Sequence, residues 1–144
     1  MFVGVHPHKL DEKGRMSIPT SFRSVSDGTY YITFSPDGCL WVYDSDGFNK
    51  YLEELESLDE FDSKVRSLKR VFFSGPPPQE CDSHGRIKIP AQCCDYAGLK
   101  KEVVLNGMKN YFEIWDKERW DEVFNESLSG YDGNMRDLRR QNPR

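Results

Sequence analysis

Two short stretches of this chain carry the same side chains at the same spacing: Asp11, Gly14, Arg15, Ile18 and Pro19, then Asp82, Gly85, Arg86, Ile89 and Pro90. An Asp and an Arg four positions apart can bind an anion or brace a turn. A guanidinium presents a planar fork of N–H donors that suits phosphate oxygens or the acceptor edge of guanine. A carboxylate at that spacing either orients the fork or occupies it. On the residues alone, a structural Asp–Arg pair and an exposed binding Arg stand as equal readings. Lys13 and Lys88 add cationic side chains to the two stretches.

Catalytic constellations are thinner. Asp82 with His84, or His6 and His8 around Asp11, have the residue types of an acid/base or metal site. At a constant offset of 71 positions, however, His6, His8 and His84 align with Pro77, Gln79 and Lys13. The two stretches therefore share no titratable pair except Asp and Arg. The chain contains no phosphate-cradling Gly-x-x-x-x-Gly-Lys, no Gly-x-Ser-x-Gly and no His-Glu-x-x-His. Cys39, Cys81, Cys93 and Cys94 form no Cys-x-x-Cys pair, so buried or bystander thiols are expected in place of metal ligands or disulfides. No enzyme, metal or cofactor is expected.

The elements that must hold the Asp and Arg residues follow from local pattern. Asp at the first and Gly at the fourth position favour a type I turn closed by a left-handed residue, a common hairpin loop with a one-residue bulge. Beyond each turn, Arg15 and Ser17 alternate with Met16 and Ile18, and Arg86 and Lys88 with Ile87 and Ile89. That period of two predicts a half-buried strand with Arg facing outward. Pro19 and Pro90 suit the start of a short helix. Phe2 to Leu10 is expected as a strand, with Gly4 and Pro7 marking an edge or a bulge. Tyr30 to Phe34 and Cys39 to Tyr43 predict a second hairpin, echoed by Glu102 to Leu105 and Tyr111 to Asp116.

Amphipathic helices are expected after each of these hairpins. Phe48, Tyr51, Leu52 and Leu55 share a helical face behind Asp44 or Asp46, and Trp120, Val123 and Phe124 begin the same pattern behind Asp116. A further helix, with Phe61, Val65, Leu68 and Phe72 on one face, joins the two copies. Phe2 to Pro19 matches Phe73 to Pro90 without a gap, so the chain reads as an internal duplication with its boundary near residue 70. Ser129 to Arg144, with Arg136, Arg139, Arg140 and Arg144, shows little apolar periodicity and is expected as a flexible tail.

Net charge is −4, which taken alone argues against a nucleic-acid partner. Distribution outweighs the sum. Residues 1–23 carry a local charge of +2, whereas residues 44–62 carry −7. The acidity sits in one block away from the first motif. No apolar run approaches the ~20 residues that span a bilayer, and the N-terminus shows no signal-peptide pattern. A soluble cytoplasmic protein is expected.

With these residues assembled, the chain resembles the MraZ family of bacterial transcriptional regulators, relatives of the AbrB and MazE swapped-hairpin DNA-binding proteins. The likeness runs from Phe2 to about Phe124 through Leu10-Asp11-x-Lys13-Gly14-Arg15, Phe73-Ser74-Gly75, Asp82-x-x-Gly85-Arg86, Ala97-Gly98-Leu99 and Phe112-Glu113-x-Trp115. The resemblance implies a mixed α/β fold of two tandem AbrB-like repeats, 1–70 and 71–128, forming a pseudo-symmetric double-split β core flanked by helices. It implies DNA binding through Arg15, Arg86, Lys13 and Lys88, with Asp11, Gly14, Asp82 and Gly85 shaping the loops. The implied role is a nucleoid-associated repressor of the division and cell-wall gene cluster, including its own gene. Such a repressor binds tandem promoter repeats in double-stranded DNA as a homo-oligomeric ring of about eight to twelve subunits. The alternative is an antitoxin-like protein-interaction module of the same fold. In the second copy, Cys81 stands where the first has Leu10, and His84 where it has Lys13.

Overall fold

The two expected hairpins form the middle of a single antiparallel sheet. In the computed structural model, which describes residues 1–142, they are β3 (Thr29–Phe34) with β4 (Leu40–Tyr43), and β7 (Glu102–Gly107) with β8 (Tyr111–Asp116). β4 pairs with β8 and joins the hairpins. The outer strands are exchanged between the copies. β1 (Val5–Lys9), from the first copy, pairs with β7 of the second, and β5 (Gln79–Glu80), from the second, pairs with β3 of the first. The resulting order is β1-β7-β8-β4-β3-β5.

Both edge strands lie next to proline, whose missing N–H a sheet tolerates only at an edge. Pro7 sits within β1 opposite Val104, and Pro76 to Pro78 leave β5 only two residues long. The motif strands leave this sheet altogether. β2 (Arg15–Ser17) and β6 (Arg86–Lys88) form their own two-stranded ladder with Met16 opposite Ile87. The expected turn is present, but the strands on either side of it diverge, because each finds its ladder in the other copy.

Alternation along the central strands divides the core. Ile32, Leu40, Val42, Phe112 and Ile114 face the side covered by β2, β6 and the short helices α1 (Thr20–Arg23) and α4 (Ala91–Ala97). Phe2, Phe22 and Phe112 meet there with ring centroids 5.0–5.3 Å apart. The intervening residues Tyr31, Trp41, Tyr43 and Tyr111 face the other side. There they pack against Phe48, Tyr51 and Leu55 of α2 (Ser45–Glu56) and Phe72 of α3 (Ser63–Phe72). Asp44 caps α2, its Oδ1 accepting from Gly47 N at 2.9 Å.

Three expectations change. Phe61, expected on the apolar face of α3, precedes that helix and is 93% exposed. Leu68, placed on the same face, is also exposed, so α3 holds the sheet mainly through Phe72. Finally, α5 (Lys117–Ser129) is followed by α6 (Tyr131–Gln141), a helix where a flexible tail was expected. Tyr131, Met135 and Leu138 recur at helical spacing on α6 but are all exposed, so little burial marks them. Arg144 lies outside the described residues.

Glu113 is buried on the sheet with both carboxylate oxygens engaged. One accepts from Trp41 Nε1 at 3.1 Å and Cys39 Sγ at 3.5 Å, the other from Asn106 Nδ2 at 3.0 Å and Trp115 Nε1 at 3.1 Å. Four donors converge on it. Glu113→Gln puts an NH2 group against two of those donors and leaves them unsatisfied, so a loss of about 1–3 kcal/mol is expected. A urea midpoint equal to that of the unaltered chain would show that the knot contributes nothing.

Candidate functional site

The repeated turn is built almost identically twice. In the first copy Asp11 Oδ1 accepts from Lys13 N at 2.9 Å and Arg15 N at 2.8 Å, while Oδ2 accepts from Arg15 Nε at 2.8 Å. In the second, Asp82 Oδ1 accepts from His84 N at 2.8 Å and Arg86 N at 3.0 Å, and Oδ2 from Arg86 Nε at 3.0 Å. Gly14 and Gly85 close the turns at φ +76° and +73°, a conformation that side chains rarely adopt. Each carboxylate therefore shapes its own loop and aims its own guanidinium.

Pairing of β2 with β6 brings the loops together. Ile18 N donates to Gly85 O at 2.9 Å and Ile89 N to Gly14 O at 2.8 Å, a reciprocal pair about a local two-fold axis. Arg86 Nη1 lies 3.9 Å from Asp11 Oδ2, so the first carboxylate touches both arginines. The side chains of Arg15 and Arg86 are 34% and 28% exposed. Both are held at Nε. Among the described residues no hydrogen bond takes up their terminal nitrogens, and the one ion pair there is the 3.9 Å contact of Arg86 Nη1 with Asp11.

Lys13 is exposed at the tip of the first loop. Lys88 stands opposite Arg15 in the ladder, and its Nζ donates to the carbonyl oxygen of Lys13. The four arginines and lysines singled out from the sequence thus share one surface. Arg23 was missed: its guanidinium lies over Gly85, beside the second loop. Its signal was a place four residues after Pro19, in the short helix expected to start there, which by itself points nowhere.

The histidines are used differently. His6 Nε2 contacts Val3 O at 3.2 Å and its ring packs 4.8 Å from Phe22. His84 Nδ1 lies 3.3 Å from the Ser83 hydroxyl. Burial, aided by the nearby charge of His6, lowers the pKa of His8. Among the described residues, no group of three or more His, Cys, Asp or Glu side chains is placed to hold a metal ion. Burial raises the thiol of Cys93 to about 11 and raises Cys39, Cys81 and Cys94 as well, so none is an activated thiolate.

Fold and site together define a class: a duplicated β scaffold with exchanged edge strands that displays two Asp-braced arginine forks side by side. The chain belongs to the MraZ family, described as "MraZ protein, putative antitoxin-like", which matches it twice, over residues 1–71 and 72–140. It is also similar to a protein named transcriptional regulator MraZ from Finegoldia magna, 42% identical over 132 residues, with 92% of each chain covered.

Asp11 and Asp82 titrate below the ordinary 3.8, chiefly because the backbone N–H of Arg15 or Arg86 donates to the ionised form. A depressed folded-state value means that the loop's bracing is complete above about pH 4 and is lost as pH falls through the lowered pKa. Carboxyl titration by NMR is expected to place both midpoints below 3.8. Arg15→Ala should raise that of Asp11 only part of the way, since the backbone donors remain. An Asp11 midpoint at or above the ordinary value would contradict the turn geometry.

Proposed function

We propose that this chain is a transcriptional regulator that binds double-stranded DNA through the paired loops, with Arg15 and Arg86 as the reading residues and Lys13 and Lys88 as phosphate contacts. The observation that carries the proposal is the pair of guanidinium forks on one surface, each fixed at Nε and with no hydrogen bond at Nη among the described residues. Such a fork suits guanine O6 and N7 or two phosphate oxygens. The name of the Finegoldia magna relative supports the regulatory role. Exchange of β1 and β5 between copies supports reading the fold as two tandem AbrB-like swapped hairpins. No helix among the described residues is long and apolar enough to cross a membrane.

From the family likeness we extend the proposal to a nucleoid-associated repressor, in the cytoplasm, of the division and cell-wall gene cluster and its own gene. In that reading the chain assembles into a ring of about eight to twelve copies and binds tandem promoter repeats. One pair of loops makes few contacts, and repetition around a ring raises avidity without any new contact. A non-enzymatic role accords with both. The second reading, an antitoxin-like interaction module, is favoured by the family description and by the exposed apolar residues Phe124, Leu128, Tyr131 and Leu138 on α5 and α6.

Arg15→Ala is expected to weaken binding to the DNA upstream of the gene severely, each lost bidentate contact costing about 1–3 kcal/mol. Arg86→Ala should weaken it equally or less, with assembly and fold retained in both. A gel-shift series in which neither variant differs from the unaltered chain would sink the assignment. Affinity should also fall steeply with salt as counterions are released; a flat response points to the protein-interaction reading.

A further inference from the structure

We propose that a bound duplex leans toward the first loop, where Lys9, Lys100 and Lys101 form a phosphate-binding flank that lies outside the repeated motif. This rests on the DNA reading of the two loops. The internal symmetry of the fold shows the asymmetry of its charge. Lys9 of β1 pairs with Glu102 of β7, and Glu80 of β5 pairs with Thr29 of β3. Leu10 N donates to Lys101 O at 2.8 Å, and at the equivalent place Cys81 N donates to Gly28 O at 3.4 Å. Position by position, Lys9 therefore corresponds to Glu80, Lys100 to Asp27, and Lys101 to Gly28.

Around the first loop Lys9, Lys13, Lys88, Lys100, Lys101 and Lys117 join Arg15 and outnumber Asp11, Glu12, Glu102, Asp116 and Glu118. Around the second, Arg23 and Arg86 are outnumbered by Asp27, Glu80 and Asp82. The same backbone thus presents a cationic flank on one side and an acidic one on the other. Lys9, Lys100 and Lys101 are exposed and line one open cleft of about 270 Å3, which Glu102, Asp116, Lys117 and Glu118 complete. Lys117 is held by Asp121 at 2.6 Å. Lys100 has only Glu118 at 3.5 Å, an exposed pair that a phosphate can displace at little cost. Among the described residues Lys9 and Lys101 form no ion pair.

Reach is sufficient. Lys9 lies two residues before Asp11, at most about 7 Å of extended chain, and each strand of a duplex carries one phosphate per about 3.4 Å of helix axis. A duplex lying on the Arg15 fork therefore reaches the flank within about two phosphates of one strand. Lysine acts there as a point charge that recognises no base. Its consequence is placement: the duplex extends further over the first loop than over the second, although the two loop backbones alone would accept it equally.

The test is fluorescence anisotropy over a salt series, with the duplex upstream of the gene and a scrambled duplex of equal composition. The variant Lys9→Gln/Lys100→Gln/Lys101→Gln is expected to lower the slope of log affinity against log salt by about two to three, at ~0.9 per phosphate contact. The loss should be equal on both duplexes. Arg23→Gln, beside the second loop, should change the slope by at most about one on the same scale. Glu80→Lys, which places the first loop's lysine on the second, should steepen it and serves even where the triple variant misfolds. An unchanged slope in the triple variant or in Glu80→Lys, or an Arg23→Gln effect as large as the triple's, overturns the flank while Arg15→Ala still weakens binding severely. Failure of the unaltered chain to bind either duplex overturns the DNA reading and the flank together.

Discussion

The pairing of β2 with β6 is the contact on which the rest of the structure depends. Each strand has only three residues, too few to persist alone. What holds them is burial: Met16, Ile18, Ile87 and Ile89 are each 1% exposed, against the aromatic and aliphatic face of the main sheet. Each such side chain contributes roughly 1.5–3 kcal/mol. With Met16 opposite Ile87, the residues on either side are forced outward together. Arg15 faces Lys88 and Ser17 faces Arg86. A shift of one residue would turn both arginines into the core and both apolar residues into water, so the register fixes the surface.

Bracing a turn and binding an anion are not competing roles for the Asp–Arg pair once the atoms are named. Asp11 and Asp82 take only the Nε of their arginine, and spend the other oxygen on backbone N–H groups. The long side chain loses its freedom before any partner arrives, which reduces the entropy that binding must overcome. Apart from the 3.9 Å contact of Arg86 Nη1 with Asp11, the terminal nitrogens stay available. An Arg without its Asp would be equally charged but floppy, and an Arg gripped through both Nη groups would be rigid but occupied.

Much of this was legible because local chemistry and tertiary structure agree. Asp at the first and Gly at the fourth position demand the turn, and alternation demands a strand with Met16 and Ile87 inward; both are present. Hairpins β3–β4 and β7–β8 follow from their β-branched and aromatic runs and from turn residues between them. Strand exchange was not readable from pattern, because an edge strand beside its own hairpin and one beside its neighbour's present the same periodicity. Phe61 and α6 failed for a related reason. Helical spacing reports which residues share a face, and only packing decides whether that face meets anything; Phe61 lies before its helix and α6 has no apolar cover. Arg23 and the Lys100–Lys101 pair lay outside the repeated motif, and only the ladder places them beside the loops.

An acidic chain can still present a surface that attracts DNA if its anions are far enough from that surface. The acidic block is centred on α2 and the loop after it, and α2 packs on the face of the sheet opposite β2 and β6. Stacked layers are separated by about 10 Å each, so two spacings put roughly 20 Å between these carboxylates and the paired loops. At about 0.1 M salt the Debye length is near 10 Å, and across two such lengths through a solvated exterior little of that repulsion survives. Near the loops the balance is set by close neighbours instead: Asp11 and Asp82, already engaged, and the lysines around the first turn, several of which are not. The sheet therefore does two jobs, holding the motif strands in register on one face and keeping the acidic helix on the other.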